Sequence, residues 1–295
     1  MSHEFTPLEI GHKEIFRRYL ADDPPQVSEL TFTNLFIWRH CYNPVWLERD
    51  DCILIILNPE KTEPFGLQPI GKGDKKKALD SLCSELKNTT DEVRLCRVGE
   101  DFVNRHLDPD QYFYQYDRNN SDYVYTTKDL IELSGRRYHS KKNHLNTFTK
   151  NYRFEYLNLD REVVRHFMDM QEEWCRIRDC LQTPDLLMED YAVKTALTYF
   201  NELDYVGAAI RIGSKIEAFS LGERLNQDTA VIHIEKANPD IPGLYSAINQ
   251  LFAKNTWADL EYINREQDLG VEGLRKAKES YYPHHLVNKY IVFPR

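Results

Sequence analysis

YVGAAIRIGSKIEAFSLGERLNQDTAVIHIEK, residues Tyr205–Lys236, is the stretch that decides the fold. Tyr205 to Ile212 and Lys215 to Leu225 flank Gly213-Ser214, a two-residue turn signal, and predict a hairpin. Asp228 to Lys236 adds a third strand, with Ala230, Ile232 and Ile234 on one face and Val231, His233 and Glu235 on the other. Upstream, Arg161 to Cys175 and Met188 to Leu203 have the spacing of helices. Downstream come a helix from Gly243 to Asn255, a strand from Leu260 to Asn264, a helix from Val271 to Tyr281 and a strand from Leu286 to Phe293. A doubly wound sheet would alternate single strands with helices. Two helices followed by three meandering strands predict instead an α+β class, with mixed sheets flanked by helices.

Composition bounds the rest. The 295 residues are 41% hydrophobic and 12% aromatic, enough for more than one compact core, so two domains are expected, at 1–134 and 135–295. No leader pattern stands near Met1, and the longest apolar run, Cys52 to Leu57, is too short to span a bilayer. The six cysteines (Cys41, Cys52, Cys83, Cys96, Cys175, Cys180) include no CxxC pair, and reduced thiols in a cytoplasmic protein are the expectation. A net charge of −9 argues against a surface that binds polyanions everywhere.

One segment runs against that charge. Between Lys128 and Arg153 stand Lys128, Arg136, Arg137, Lys141, Lys142, Lys150 and Arg153, with His139 and His144, against only Asp129 and Glu132. Tyr138, Leu145, Phe148 and Tyr152 recur at helical spacing, which predicts a helix that packs one face and offers cations from its flanks. It reads either as a phosphate-holding helix or as a solvated helix linking the two domains.

In the first half, Trp46-Leu47 and Cys52 to Leu57 predict strands joined across Asp50-Asp51. Gly66 to Gly73 nearly matches a phosphate-binding loop, but Gly73 replaces the hydroxyl residue that would hold magnesium; the plainer reading is a loop opening a helix from Asp74 to Lys87. Strands at Val93 to Val98 and Tyr112 to Tyr116 and a helix at Phe102 to Leu107 follow. Ser28 to Trp38 mixes aromatics with capping residues and predicts a buried turn feeding a short helix.

The densest polar cluster is Asn264, Arg265, Glu266, Gln267 and Asp268, after a buried strand, where ligands of open α/β sheets gather. Glu266 or Asp268 is a candidate base for an attacking amine, with helix capping the alternative for Asp268. Lys278 falls on the stripe Leu274, Ala277, Lys278, Tyr281 that should face the core, and with Asn264 and Arg265 is a candidate for binding substrate charge. His233, Glu235 and Lys236 are candidates to line the same crevice. No third ligand stands at a diagnostic spacing, so no metal is expected.

Ser28 to Trp38, Ile131 to Phe148 (IELSGRRYHSKKNHLNTF), His233 to Phe252 and Asn264 to Tyr290 (NREQDLGVEGLRKAKESYYPHHLVNKY) together resemble the phosphatidylglycerol lysyltransferase C-terminal-domain family. The resemblance implies tandem GNAT (acyl-CoA N-acyltransferase)-like domains, similar to the Fem aminoacyltransferases. It also implies transfer of an aminoacyl group from aminoacyl-tRNA to a lipid head group. The 295 residues contain no membrane-spanning portion like that of the full lysyltransferases, so a lipid, peptide or small-molecule acceptor stays open. Where GNAT enzymes carry a glycine-rich acetyl-CoA loop, this chain has Asn238-Pro239-Asp240-Ile241-Pro242-Gly243, leaving Gly243 as the one candidate cofactor-binding glycine. The resemblance assigns a leaving-group acid to Tyr281 or Tyr282, and the basic helix, through Lys141, Lys142 and His144, would steer a phosphate-bearing donor. The reading is an acyl- or aminoacyltransferase acting by direct attack; the alternatives are an acetyl-CoA-dependent N-acetyltransferase and a non-catalytic binding module.

Overall fold

The computed structural model describes residues 5–58, 63–177, 179, 182 and 184–295. It divides into two compact units: Met1–Asp122 with Gln267–Gly270 and Leu286–Arg295, and Tyr123–Glu266 with Val271–His285. The division therefore falls at Asp122/Tyr123 rather than at 134/135, and the last strand belongs to the first unit.

The first unit is built on a seven-stranded sheet. Its strands are β1 (Thr6–Pro7), β2 (Val45–Arg49), β3 (Cys52–Leu57), β4 (Phe65–Gly66), β5 (Leu95–Gly99), β6 (Tyr112–Tyr116) and, from the far end of the chain, β14 (Lys289–Pro294). The order is β1-β2-β3-β4-β5-β14-β6, with β14 antiparallel to both β5 and β6. Asp50 and Asp51 both take positive φ, 52° and 56°, the turn whose twist matches a β2–β3 hairpin. All six residues of β3 are buried, as its unbroken apolar run demands. Helices α1 (Lys13–Asp22), α2 (Phe32–Ile37), α3 (Arg39–Tyr42), α4 (Lys75–Lys87) and α5 (Glu100–His106) complete the unit. The Asp74 carboxylate caps α4 by accepting from the amides of Lys76 and Lys77, and Leu79, Leu82 and Leu86 of that helix share a core with Leu54 and Ile56.

The Gly66–Gly73 loop is no nucleotide cradle. Lys72 Nζ is spent on Asp22 at 2.7 Å, and a Cβ on Gly73 would lie 2.0 Å from the Asp50 carbonyl oxygen. The glycine is there because the loop passes hard against the β2–β3 turn.

The second unit carries α6 (Thr127–Glu132), α7 (His139–Asn151), β8 (Phe154–Asn158), α8 (Arg161–Ile177), α9 (Pro184–Thr198), β9 (Val206–Ile212), β10 (Lys215–Arg224), β11 (Thr229–Ala237), α10 (Leu244–Thr256), β12 (Tyr262–Asn264) and α11 (Glu272–Glu279). With β7 (Asp122–Thr126) and the short β13 (His285–Val287), its sheet runs β13-β7-β12-β11-β10-β9-β8. The β9–β10–β11 meander stands where the alternation placed it, and Gly213 turns the hairpin at φ 62°. β11 and β12 pair in parallel, with α10 as the crossover between them.

Three expectations change. The basic run is two helices rather than one, because Leu133 and Gly135 take positive φ (45° and 85°) and stop α6 before α7 begins. Helix α11 buries none of its residues, so the stripe through Leu274 does not face a core; Leu274 is exposed and Tyr281, beyond the helix end, is the buried member. Finally, Cys41, Cys52, Cys83 and Cys96 are free thiols, but Cys175 is disulfide-bonded; Cys180 lies outside the described residues. Among the described residues no helix is long and apolar enough to cross a membrane.

Gly243, before the first turn of α10, has φ 83°, and a Cβ there would lie 2.2 Å from the His144 carbonyl oxygen of α7. Gly243→Ala should therefore cost at least about 2 kcal/mol, from the left-handed backbone plus the clash. A urea midpoint equal to that of the wild type would contradict this account.

Candidate functional site

The site grows out of one parallel strand pair. β11 and β12 match Thr229 to Tyr262, Ala230 to Ile263 and Val231 to Asn264, and there β12 ends while β11 continues to Ala237. His233 and Glu235 thus stand beyond the last paired residue, on the face that Val231 shares by alternation. Residues 264–266 turn across the gap. The Asn264 side-chain oxygen accepts from the Glu266 amide at 2.8 Å, and Glu266 takes φ 55°, a backbone setting uncommon for glutamate.

Two ion pairs join β11 to the residues that follow β12. Arg265 Nη2 meets Glu235 Oε1 at 2.8 Å, and Glu266 Oε1 meets His233 Nδ1 at 2.9 Å. The other imidazole nitrogen lies 2.8 Å from Glu223 Oε1 of β10, whose position opposite Val231 puts it on the same face. The imidazole is 1% exposed. Burial alone would disfavour its charge; the hydrogen bonds to Glu223 and Glu266, and the charge of both carboxylates, outweigh it and hold the imidazolium with a pKa of about 9.

Tyr281 packs beside this turn, against the Arg265 guanidinium. It is buried, its hydroxyl donates to Ser246 Oγ of α10 at 3.3 Å, and burial, partly offset by Arg265, raises its pKa. Two cations lie against the ring: Lys141 Nζ 4.2 Å and the Arg265 guanidinium 4.9 Å from its centroid. Burial first, then the Arg265 charge, pushes Lys141 below the ordinary lysine value, with Glu235 opposing. Asn249 of α10 donates to Glu235 Oε2 at 3.0 Å. Arg265 Nη1 and Asn249 Oδ1 are buried without a hydrogen-bond partner among the described residues. A lone buried donor and acceptor beside two cations and one carboxylate fit a polar, net anionic ligand.

The predicted residues sort accordingly. Arg265, Glu266, His233, Glu235, Lys141 and Tyr281 come together, with Asn264 shaping the turn. Asp268 does not join them: it belongs to the first unit, is fully buried, and is held by Arg118 Nη1 at 3.2 Å and the Gly270 amide at 2.8 Å. Lys278 Nζ donates to the Arg265 and Glu266 carbonyl oxygens, so it braces the turn from below. Lys236 points the opposite way from Glu235, as alternation requires; it is buried on Glu189 at 2.6 Å and 3.5 Å over the Trp174 ring. Tyr282 is exposed, at φ 53°, with its ring 5.5 Å from that of Tyr138. Lys142 and His144 lie on the exposed side of α7. Gly243 owes its identity to the approach of α7, and one glycine so occupied does not fit the pyrophosphate cradle of an acetyl-CoA enzyme. Sequence reasoning missed Ser246, Asn249 and Glu223. Ser246 and Asn249 stand three residues apart on an otherwise apolar buried stretch of α10, and that break in pattern was the available signal.

Comparison with known proteins fits this architecture. The family model described as phosphatidylglycerol lysyltransferase, C-terminal, matches residues 22–293. A conserved protein of unknown function from Bacteroides thetaiotaomicron is 30% identical, with a TM-score of 0.91 over 99% of both chains. FemX (9% identical, TM-score 0.62, 99% of this chain and 97% of that one) shares the fold. So does a tandem GNAT protein of the clavulanic acid biosynthesis pathway (7%, TM-score 0.51, 99% and 98%). An uncharacterised protein of Mycoplasmoides gallisepticum is 25% identical over 175 residues, 58% of this chain; the match spans only 56% of that relative's length. Two mixed sheets flanked by helices in a tandem GNAT-like arrangement, and a family match running from residue 22 to residue 293, place the chain in the phosphatidylglycerol lysyltransferase C-terminal family.

Proposed function

We propose that this chain transfers an aminoacyl group from aminoacyl-tRNA to an amine or hydroxyl acceptor, at the end of β12 beside β11 in its second unit. The observation that carries the reading is the buried Tyr281 ring held between Lys141 and Arg265, with Glu235 as the bonded carboxylate. Two cations against one carboxylate favour a phosphate or carboxylate on the substrate. An aminoacyl ester is already activated, so the acceptor's lone pair attacks the ester carbonyl, the carbon–oxygen bond to the ribose breaks, and the ribose oxygen takes up a proton. Glu266 accepts the proton the acceptor loses, and the His233 imidazolium fixes the carboxylate that does so. A donor of this kind places the reaction in the cytoplasm. The acceptor is a lipid head group or a simpler amine, and an assay offering each in turn separates the two.

In a transfer assay with charged tRNA and either phosphatidylglycerol vesicles or a soluble amine, Arg265→Gln should lower kcat/KM roughly tenfold to a hundredfold. Undiminished transfer by that variant would remove the Arg265 cluster from the reaction. The competing reading, a binding module without chemistry, draws on one fact: Glu266 is engaged by His233 and Asp268 by Arg118. Saturable tRNA binding with no transfer to either acceptor would favour it.

A further inference from the structure

Strand β6 reads Tyr112-Phe113-Tyr114-Gln115-Tyr116, aromatic at all but one position and without charge, on the outer edge of the first unit's sheet. Edge strands are usually blunted by charged side chains, so exposed rings in their place are unusual. Pairing with β14 sets Tyr116 opposite Tyr290 and Tyr114 opposite Val292, which puts Tyr114, Tyr116 and Tyr290 on one face of the sheet. That face is buried at Tyr112 and Val292 and leaves the core at the half-buried Tyr290; Tyr114 and Tyr116 are 37% and 44% exposed. The Tyr290 ring is central. Its centroid lies 5.9 Å from that of Tyr114 at an interplanar angle of 87°, and 5.8 Å from that of Tyr116 at 56°. Rings set at such angles form walls rather than a flat stack. The first residue of α5 adds a carboxylate at the same spot. Glu100 accepts from the Tyr290 hydroxyl at 3.1 Å and from Asn288 Nδ2 at 3.2 Å, and among the described residues no lysine or arginine is in ion-pair range of it. Burial first, then the hydrogen bond and charge of Glu100, raises the Tyr290 pKa, so the central ring stands in a negative field.

We propose that Tyr114, Tyr116, Tyr290 and Glu100 bind a trimethylammonium group, at a site of the first unit that takes no part in the transfer chemistry of the second. Electron-rich ring faces and a carboxylate without a cation both attract positive charge. The bonds that Glu100 already makes decide which cation fits. A primary ammonium brings three N–H donors that need partners on leaving water, and Asn288 and Tyr290 take up much of what this carboxylate can accept. A trimethylammonium group brings no donor. It needs charge and ring faces alone, and its methyl groups can rest against the walls. The same bonds hold Glu100 and Tyr290 in place before any ligand arrives, which lowers the ordering cost of binding.

The test is titration of the full chain with choline, with n-butylammonium, and with the alcohol in which a tert-butyl group replaces the trimethylammonium of choline, followed by calorimetry and by saturation-transfer NMR. Choline should bind. The uncharged alcohol, which fills the same space, should bind about tenfold more weakly or worse, and butylammonium should fall below choline. Tyr114→Leu/Tyr116→Leu should weaken choline binding about tenfold and Glu100→Gln about fivefold, whereas Tyr116→Phe, which keeps a ring, should stay within about twofold of the wild type. Tyr114 and Tyr116 are exposed, so the melting temperature of the double variant should barely move. No choline binding overturns the proposal, as does an uncharged alcohol or a butylammonium that binds as tightly as choline. A dimer in sedimentation velocity that choline leaves intact and the double leucine variant abolishes also overturns it, by assigning the rings to a contact between copies of this chain. Aminoacyl transfer is no part of these readouts, so the site stands or falls apart from the proposed reaction.

Discussion

Lys289→Ala is expected to destabilise the chain by about 3–5 kcal/mol, the cost typical of breaking a buried charge cluster from one side. The Lys289 ammonium is fully buried in the first unit, 2.5 Å from Glu29 Oε2, 2.6 Å from Asp122 Oδ1 and 3.3 Å from Ser28 Oγ. Ser28 in turn donates to Asp122 through both its amide and its hydroxyl, and Arg97 lies 3.7 Å from the second Glu29 oxygen. Alanine would leave two carboxylates out of water with Arg97 alone to answer them. Burial already pushes Glu29 up from its ordinary value despite Lys289, so a proton on that carboxylate is the nearest relief. Urea unfolding of the variant checks the figure, and adding Glu29→Gln and Asp122→Asn should recover part of the loss. A single variant as stable as the wild type would mean that the cluster hydrates or rearranges at little cost.

The second large effect is a pH dependence at His233. Its folded pKa, about 9, stands above the ordinary histidine value of about 6.5, so the folded state binds the proton more tightly than the unfolded one. The stabilisation is therefore complete below about pH 6.5 and is lost as pH rises through about 9. A difference of that size corresponds to roughly 3 kcal/mol. His233→Gln should flatten the stability profile between those limits, because glutamine bridges the carboxylates without titrating. A wild-type profile already flat from pH 6 to 10 would show that the imidazole is neutral in the fold.

Much of this architecture is legible in the residues. The β9–β10–β11 meander, the turn at Asp50-Asp51 and the capped start of α4 follow from alternation, turn chemistry and a capping aspartate, all local signals. The resemblance carried by Asn264 to Tyr290 led to the right family. What escaped is what depends on partners distant in sequence. Leu286 to Phe293 alternates as a strand should, but alternation does not name a neighbour, and the segment divides into β13 and β14 on different sheets. Lys289 reads as a lysine at a strand entrance; its burial is set by Glu29 and Asp122, some 260 and 167 positions away. Asp268 reads as an alternative base to Glu266 because the two share one polar run, yet their side chains lie in separate networks, Asp268 on Arg118 and Glu266 on His233. The break at Leu133–Gly135 is marked in the sequence by a Ser-Gly pair, a signal that the helical spacing of Tyr138, Leu145 and Phe148 does not register.

The position of β14 between β5 and β6 has a consequence for synthesis. A ribosome completes every other strand of that sheet about 170 residues before it makes the one that joins them, as the numbering of β6 and β14 shows. Until β14 emerges, the first unit holds an unclosed seam with two raw backbone edges and an acidic pair awaiting its lysine. A chain cut before Lys289 should therefore lose the first unit rather than the second.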